Sequence, residues 1–481
     1  MKSSANRRHW LLASVGTVIG IAAWSAAGPI NPPAGPVAPS YKTLSEVEPR
    51  TVVNATNTPG DANSVYRITA PGSYYLDQNL TCISGKHGVK IDAENVTLDL
   101  RGFSILGVTG SNDGINVPVG HANLTVRNGV IRGCPGSGIF AGSVVHGVYA
   151  DLDLTYNALE GLWTGDRASI ERVICIQDRT GIVAGSGCRI ASCGSENNAQ
   201  LGYTVGADCT FTSCTARGNQ LSGFRATGGA TLTACVSTLN NSHGFEFTQV
   251  RNSARDCGSY FNGGNGFVGS HSTRLEGCHA DNNTQSGITL ADYCSVRSCD
   301  ATQNGSNGMN AGLYAQVLDC NSSLNAASGI VVTDGGVVRR CSASGNTGMG
   351  IAVFVGTTVE GCEVRSNTLD GIRAITSCYV LNNTADNNGG NAANGNQGGI
   401  RVEGVANRVE GNSLTGNDFS IYTSAATSQN NFFGRNTSRS PVQGHYQIVP
   451  GNSFGPIVAV SGVGDISTVN GAGYPMANFT Y

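Results

Sequence analysis

From residue 181 onward the chain restarts about every 21 residues. Residues 329–349 read GIVVTDGGVVRRCSASGNTGM, and residues 350–370 read GIAVFVGTTVEGCEVRSNTLD. Units begin at Gly181, Gly202, Gly223, Gly244, Gly266, Gly287, Gly308, Gly329, Gly350 and Gly371, with one step of 22. An apolar residue follows each of these glycines, as in Ile182, Tyr203, Phe224, Phe245 and Phe267. Cys holds position 13 from Cys193 to Cys362, and Asn holds position 18 in ten consecutive units from Asn198 to Asn388. A length of 481 residues would otherwise suggest about three domains. A fixed repeat overrides that expectation, because stacked units form one continuous body.

Inside a unit the inward residues alternate: Ile330 with Val332, Gly336 with Val338, Cys341 with Ala343. A period of two marks strands, and the three-and-four spacing of a helical stripe is absent. Each unit therefore reads as three short strands, about seven residues to a side. Each coil lies on the one below at roughly 4.8 Å, paired in parallel. Equivalent residues then form columns. The position-18 Asn is expected at a turn in left-handed geometry, its amide bonded to the next Asn of the column. The position-1 Gly is expected to permit the tight turn into the first strand.

The pattern GIxV…C…N resembles the repeat of the right-handed parallel β-helix superfamily, the pectin-lyase-like fold, over roughly residues 88–440. The resemblance implies an all-β, single-stranded right-handed parallel β-helix (solenoid) of about 21-residue three-strand coils with N- and C-terminal caps. That superfamily includes lyases, hydrolases, binding proteins and phage tailspikes, so the fold fixes no activity. In it, extended polysaccharides lie on the outward face of the first strand.

The expected organisation is residues 1–27 as an export signal, 28–40 as a Pro-rich linker, 41–87 as an N-terminal cap, 88–440 as the β-helix and 441–481 as a C-terminal cap. Lys2, Arg7 and Arg8 precede an apolar run, and Ser25-Ala26-Ala27 supplies small residues for cleavage. An uncleaved anchor is the competing reading. NRRHWLL fits either a twin-arginine signal or simple n-region charge. The mature protein is then exported, to the periplasm, the cell surface or the medium, with no membrane contact after cleavage.

Sixteen cysteines in an exported chain invite a disulfide reading. The repeat argues for buried, mostly reduced columns instead, because in-register side chains point the same way. The C-x4-C spacing of Cys188 and Cys193 follows from the coil, with no His clustered beside it, so no metal site is expected. A net charge of −3 with scattered Lys and Arg gives no case for nucleic acid. Outward charges alternate in sign between coils: Arg225/Glu246, Arg255/Glu276, Arg339/Glu360, Glu196/Arg217 and Arg365/Asp386. Such cross-strand pairs help fix register.

No tight carboxylate cluster of the kind a glycosidase needs stands out, and calcium enters only if the chain is a lyase. The catalytic candidates are two stacked pairs, His271 with Asp292 and His279 with Asp300. Each is either an acid–base couple or a surface hydrogen bond. The binding candidates are Phe140 and Trp163, outward on adjacent coils, where exposed rings suit sugar stacking unless the N-terminal segment or the 388–398 loop covers them. The reading is an exported β-helix that binds polysaccharide or cell-envelope glycan without catalysis. The alternatives are a polysaccharide lyase or glycoside hydrolase, and a purely structural or adhesive surface protein.

Overall fold

In a computed structural model, residues 49–390, 396–423, 427–460 and 466–481 are described. The export signal, the linker and the start of the expected N-terminal cap lie outside the described residues. Coil after coil carries three short strands, for example Phe224–Ala226, Thr231–Thr233 and Val236–Thr238. Every one pairs in parallel with its counterpart one coil on: Phe224 with Phe245, Thr231 with Ser253, Val236 with Gly258. The first strands form one column of eighteen, from Ser64–Ile68 to Gly444–Gln447. Second and third strands share the other sheet, since a corner of two residues such as Ala234-Cys235 separates them. The sides are therefore unequal, not seven residues each. The only helical element among the described residues is a short 3-10 turn at Ile466–Thr468.

Parallel pairing also reaches past residues 88–440. Thr51–Val52 pairs with Gly72–Tyr75, Ser64–Ile68 with His87–Ile91, and Asn478–Thr480 with Thr437–Arg439. Each end segment thus contributes rungs of its own.

Two local expectations need correction. Left-handed backbone falls at positions 7, 12 and 17, as in Gly229, Ala234 and Leu239, not at the position-18 Asn. Each such corner turns the chain so that the next residue, at position 8, 13 or 18, points inward. The position-1 glycines are not left-handed. They are needed for space: a Cβ on Gly223 would meet Ser237 Oγ at 2.2 Å, and one on Gly202 would meet the Gly223 carbonyl oxygen at 2.5 Å.

The interior is built of columns. Tyr203, Phe224, Phe245 and Phe267 are buried and stack with centroids 4.7–4.9 Å apart. All sixteen cysteines are buried and free. Burial pushes the Cys294 thiol up to about 11 and Cys175 well above its usual range, so these are neutral S–H groups. Several donate to the carbonyl two residues back, as Cys299 does to Arg297 at 3.2 Å.

The position-18 ladder runs from Asn157 through Asp178 to Asn417, with amide-to-oxygen distances of 2.8–3.1 Å. Beyond Cys362 and Cys378 the two cysteine columns become asparagine ladders as well, Asn383–Asn412–Asn436–Asn478 and Asn407–Asn431–Asn452. Outside, four of the expected ion pairs form: Arg225–Glu246 at 3.7 Å, Arg255–Glu276 at 2.6 Å, Arg339–Glu360 at 2.7 Å and Arg365–Asp386 at 3.4 Å. Glu196 and Arg217 stand in register, yet no ion pair joins them among the described residues.

Candidate functional site

The outward column of the first strands begins with Arg67, Lys90, Asn116, Phe140, Trp163 and Val183, each in register with the next. Strand alternation places the third residue of each coil outside, so the two rings fall side by side as expected. Their centroids are 5.1 Å apart, and the planes meet at 78°. This edge-to-face contact sets the electropositive edge of one ring against the π-face of the other. The indole lies close over Gly142, where a Cβ would stand 2.8 Å from Nε1. Trp163 remains 37% exposed. The 388–398 loop leaves the coil that starts at Gly371, ten coils along. That is roughly 48 Å from Trp163 at one inter-strand spacing per coil; residues 391–395 of the loop lie outside the described residues.

Two carboxylates border this aromatic pair, and both are buried. Asp113 accepts from Asn116 Nδ2 at 2.7 Å and from the Ser137 amide at 2.8 Å, with His87 Nδ1 at 3.1 Å. Glu160 accepts from Ser137 Oγ at 3.0 Å and pairs with Arg179. With their oxygens engaged in this way, the two fix the edge of the first strand beside Trp163.

The His–Asp pairs form, but away from the rings and away from each other. His271 Nε2 is 3.4 Å from Asp292 Oδ2 at the corner after the first strand. Asp292 also accepts the Leu313 amide at 2.8 Å, so it braces that corner. His279 Nδ1 is 3.0 Å from Asp300 Oδ2 at the start of the third strands. Both pairs repeat the cross-coil geometry of the Arg–Glu pairs.

Sequence reasoning missed a second acidic cluster on the first-strand face. Arg373 and Arg401 are in register and reach Glu403 at 2.8 and 3.0 Å. Asp370 accepts the Gly398 amide at 2.7 Å, while its Oδ2 has no hydrogen bond and lies 3.7 Å from Arg401. Burial pushes this carboxyl up to about 6. Only 1% of Asp370 is exposed, and its Oδ1 holds the turn into Gly398. The available signal was an acidic residue directly before a coil's opening glycine: Asp113, Glu160 and Asp370 precede Gly114, Gly161 and Gly371. Among the described residues no group of three or more His, Cys, Asp or Glu is placed to hold a metal ion. No helix among them is long and apolar enough to cross a membrane.

The family model of a right handed beta helix region matches residues 173–358. No curated protein matches the sequence. Among solved structures, the A-module of Azotobacter vinelandii mannuronan C-5 epimerase AlgE4 is 14% identical, covers 80% of this chain and 91% of its own, and has a TM-score of 0.23. The periplasmic alginate epimerase AlgG is 10% identical over 74% of this chain and 76% of its own, with a TM-score of 0.28. The Siphovirus 9NA tailspike receptor binding domain is 9% identical over 92% of this chain and 78% of its own, with a TM-score of 0.27. Likenesses of this degree say nothing about the chemistry of this chain. Its body is a right-handed parallel β-helix, and residues 173–358 carry the repeat of that family.

Proposed function

We propose that the protein binds polysaccharide along the outward face of its first strands, with Phe140 and Trp163 as the stacking platform. The observation that carries this reading is the exposed indole, held edge-to-face against Phe140 and over Gly142. A sugar ring presents C–H groups to such a surface, and the long flat sheet offers one register step per coil to an extended chain. The carboxylates of Asp113 and Glu160 that border the platform are bonded within the protein, which favours binding over acid–base chemistry there. A glycan outside the cell is in keeping with the export pattern of residues 1–27.

Glycan-array screening followed by calorimetry tests this reading. Trp163→Ala is expected to weaken binding tenfold or more, about 1.4 kcal/mol. Unchanged affinity in that variant would reject the platform, and no glycan bound by the native protein would leave the structural reading. The same incubations are expected to release neither new reducing ends nor unsaturated products; release abolished by His271→Ala would establish the lyase or hydrolase alternative.

A further inference from the structure

A second pair of rings stands on another side of the coil. Position 7 is a left-handed corner, held by Gly187, Asp208, Gly229 and Gly335 among others. Two consecutive coils place Tyr293 and Tyr314 there, at φ 58° and 56°. A bulky side chain in this conformation costs roughly 1 kcal/mol, and burial does not offset it, since the rings are 60% and 55% exposed. They stack with centroids 5.3 Å apart and planes at 17°. Tyr314 lies against Gly335, where a Cβ would come within 2.6 Å of Cε1. Tyr293 ends the stack: the equivalent corner of the preceding coil is Ser272, so no ring of the column covers its outer face.

The pair forms the wall of a groove of about 520 Å³. Its floor is the outer side of three successive second strands, carrying Arg274, Glu276, Ser295, Arg297 and Gln316. Glu276 is taken by Arg255 at 2.6 Å, and Arg297 reaches Asp319 at 3.8 Å. Arg274 has no ion-pair partner among the described residues and is exposed. Arg251, exposed at the corner before Ser272, adds positive charge on the open side. An uncovered aromatic face, the unpaired guanidinium of Arg274 and the Gln316 carboxamide therefore line one open groove.

We propose that this groove is a separate binding site for a sugar ring bearing a carboxylate or a sulfate. The ring stacks on Tyr293, its anionic group pairs with Arg274, and its hydroxyls bond to Gln316 and Ser295. The site shares no residue with the Phe140–Trp163 platform and does not depend on it. Calorimetry on the full-length Trp163→Ala protein therefore isolates it, with trigalacturonate and a sulfated trisaccharide as acidic probes, cellotriose as the neutral one and benzoate as a non-sugar anion.

Binding of either acidic trisaccharide is expected, with cellotriose at least tenfold weaker; the stronger acidic probe identifies the anionic group. Tyr293→Asn suits the left-handed corner, and Arg274→Gln lies on an exposed strand position, so both are expected to keep the native melting temperature. Each is expected to weaken the acidic probe tenfold or more, and salt is expected to weaken it in the parent. Failure of both acidic probes, cellotriose binding as tightly, benzoate alone binding, or unchanged affinity in either variant would overturn the assignment.

Discussion

Replacing Asn304 with Ala is expected to lower the stability of the protein by about 3–5 kcal/mol. Asn304 is 1% exposed and sits in the middle of the position-18 ladder. Its Oδ1 accepts both the backbone and side-chain N–H groups of Asn283, each at 3.1 Å. Its Nδ2 donates to the Ala280 carbonyl at 2.8 Å and to Asn325 Oδ1 at 3.0 Å. Alanine strands two donors and a carbonyl in a place water does not reach, and each orphaned group costs about 1–3 kcal/mol. A pair of hydrogen bonds lost at a solvated surface would cost far less. Urea unfolding followed by far-UV circular dichroism reads the difference. A loss under about 1 kcal/mol would mean the ladder is incidental to the stack.

The second large effect concerns the one acidic rung. Asp178 Oδ1 accepts from the amide and Nδ2 of Asn157, at 2.8 and 3.0 Å, and its own backbone N–H donates to Asn198 Oδ1 at 2.9 Å. In the asparagine rungs, Nδ2 also donates to that same Oδ1, as Asn219 does to Asn240 at 2.8 Å. Asp178 Oδ2 takes the place of that nitrogen. It stands against Gly161 as Asn157 Nδ2 stands against Gly138, yet it has no hydrogen-bond partner as a carboxylate. Two oxygens then face each other unless Asp178 carries a proton and donates it.

Burial pushes this carboxyl up to about 8, against 3.8 in the unfolded chain. The folded value is the higher one, so the folded state binds the proton more tightly. The stabilisation is complete below pH 3.8, declines as pH rises toward 8, and is gone above that. Asp178→Asn supplies a permanent donor. It is expected to be more stable than the native protein by about 3–5 kcal/mol at pH 9, with the gap closing toward pH 4. Equal stability of the two proteins at pH 9 would show that the ionised carboxylate is held without cost and that burial does not raise it.

The columns were legible because stacking forces like residues to recur at one position, whether in Tyr203–Phe224–Phe245–Phe267 or in the Arg–Glu pairs. The corners were not, since their side chains leave the coil and residues as different as Leu239, Arg251 and Tyr293 all serve. The role of the opening glycine was misjudged because the sequence shows that a side chain is excluded, not what excludes it. The C-terminal asparagine ladders were hidden because Cys gives way to Asn at Asn383 in the last regular unit, and the insertion after Asn388 then broke the unit comparison before Asn407 and Asn412. On the candidate site, strand alternation exposed Phe140 and Trp163. Asp113, Glu160 and Asp370 escaped because each lies just before the glycine from which every unit was counted.

The account stands on coils stacked flat, one inter-strand step at a time. Thr204, Thr289 and Val331 share the outward first-strand column, four and six coils along from the first. The native thiols are buried, so introduced cysteines at these sites take nitroxide labels selectively. Double electron–electron resonance is expected to give narrow distributions near roughly 19 Å for Thr204→Cys/Thr289→Cys and 29 Å for Thr204→Cys/Val331→Cys, at about 4.8 Å per coil. Broad distributions, or distances that do not grow with the number of coils between the labels, would contradict it.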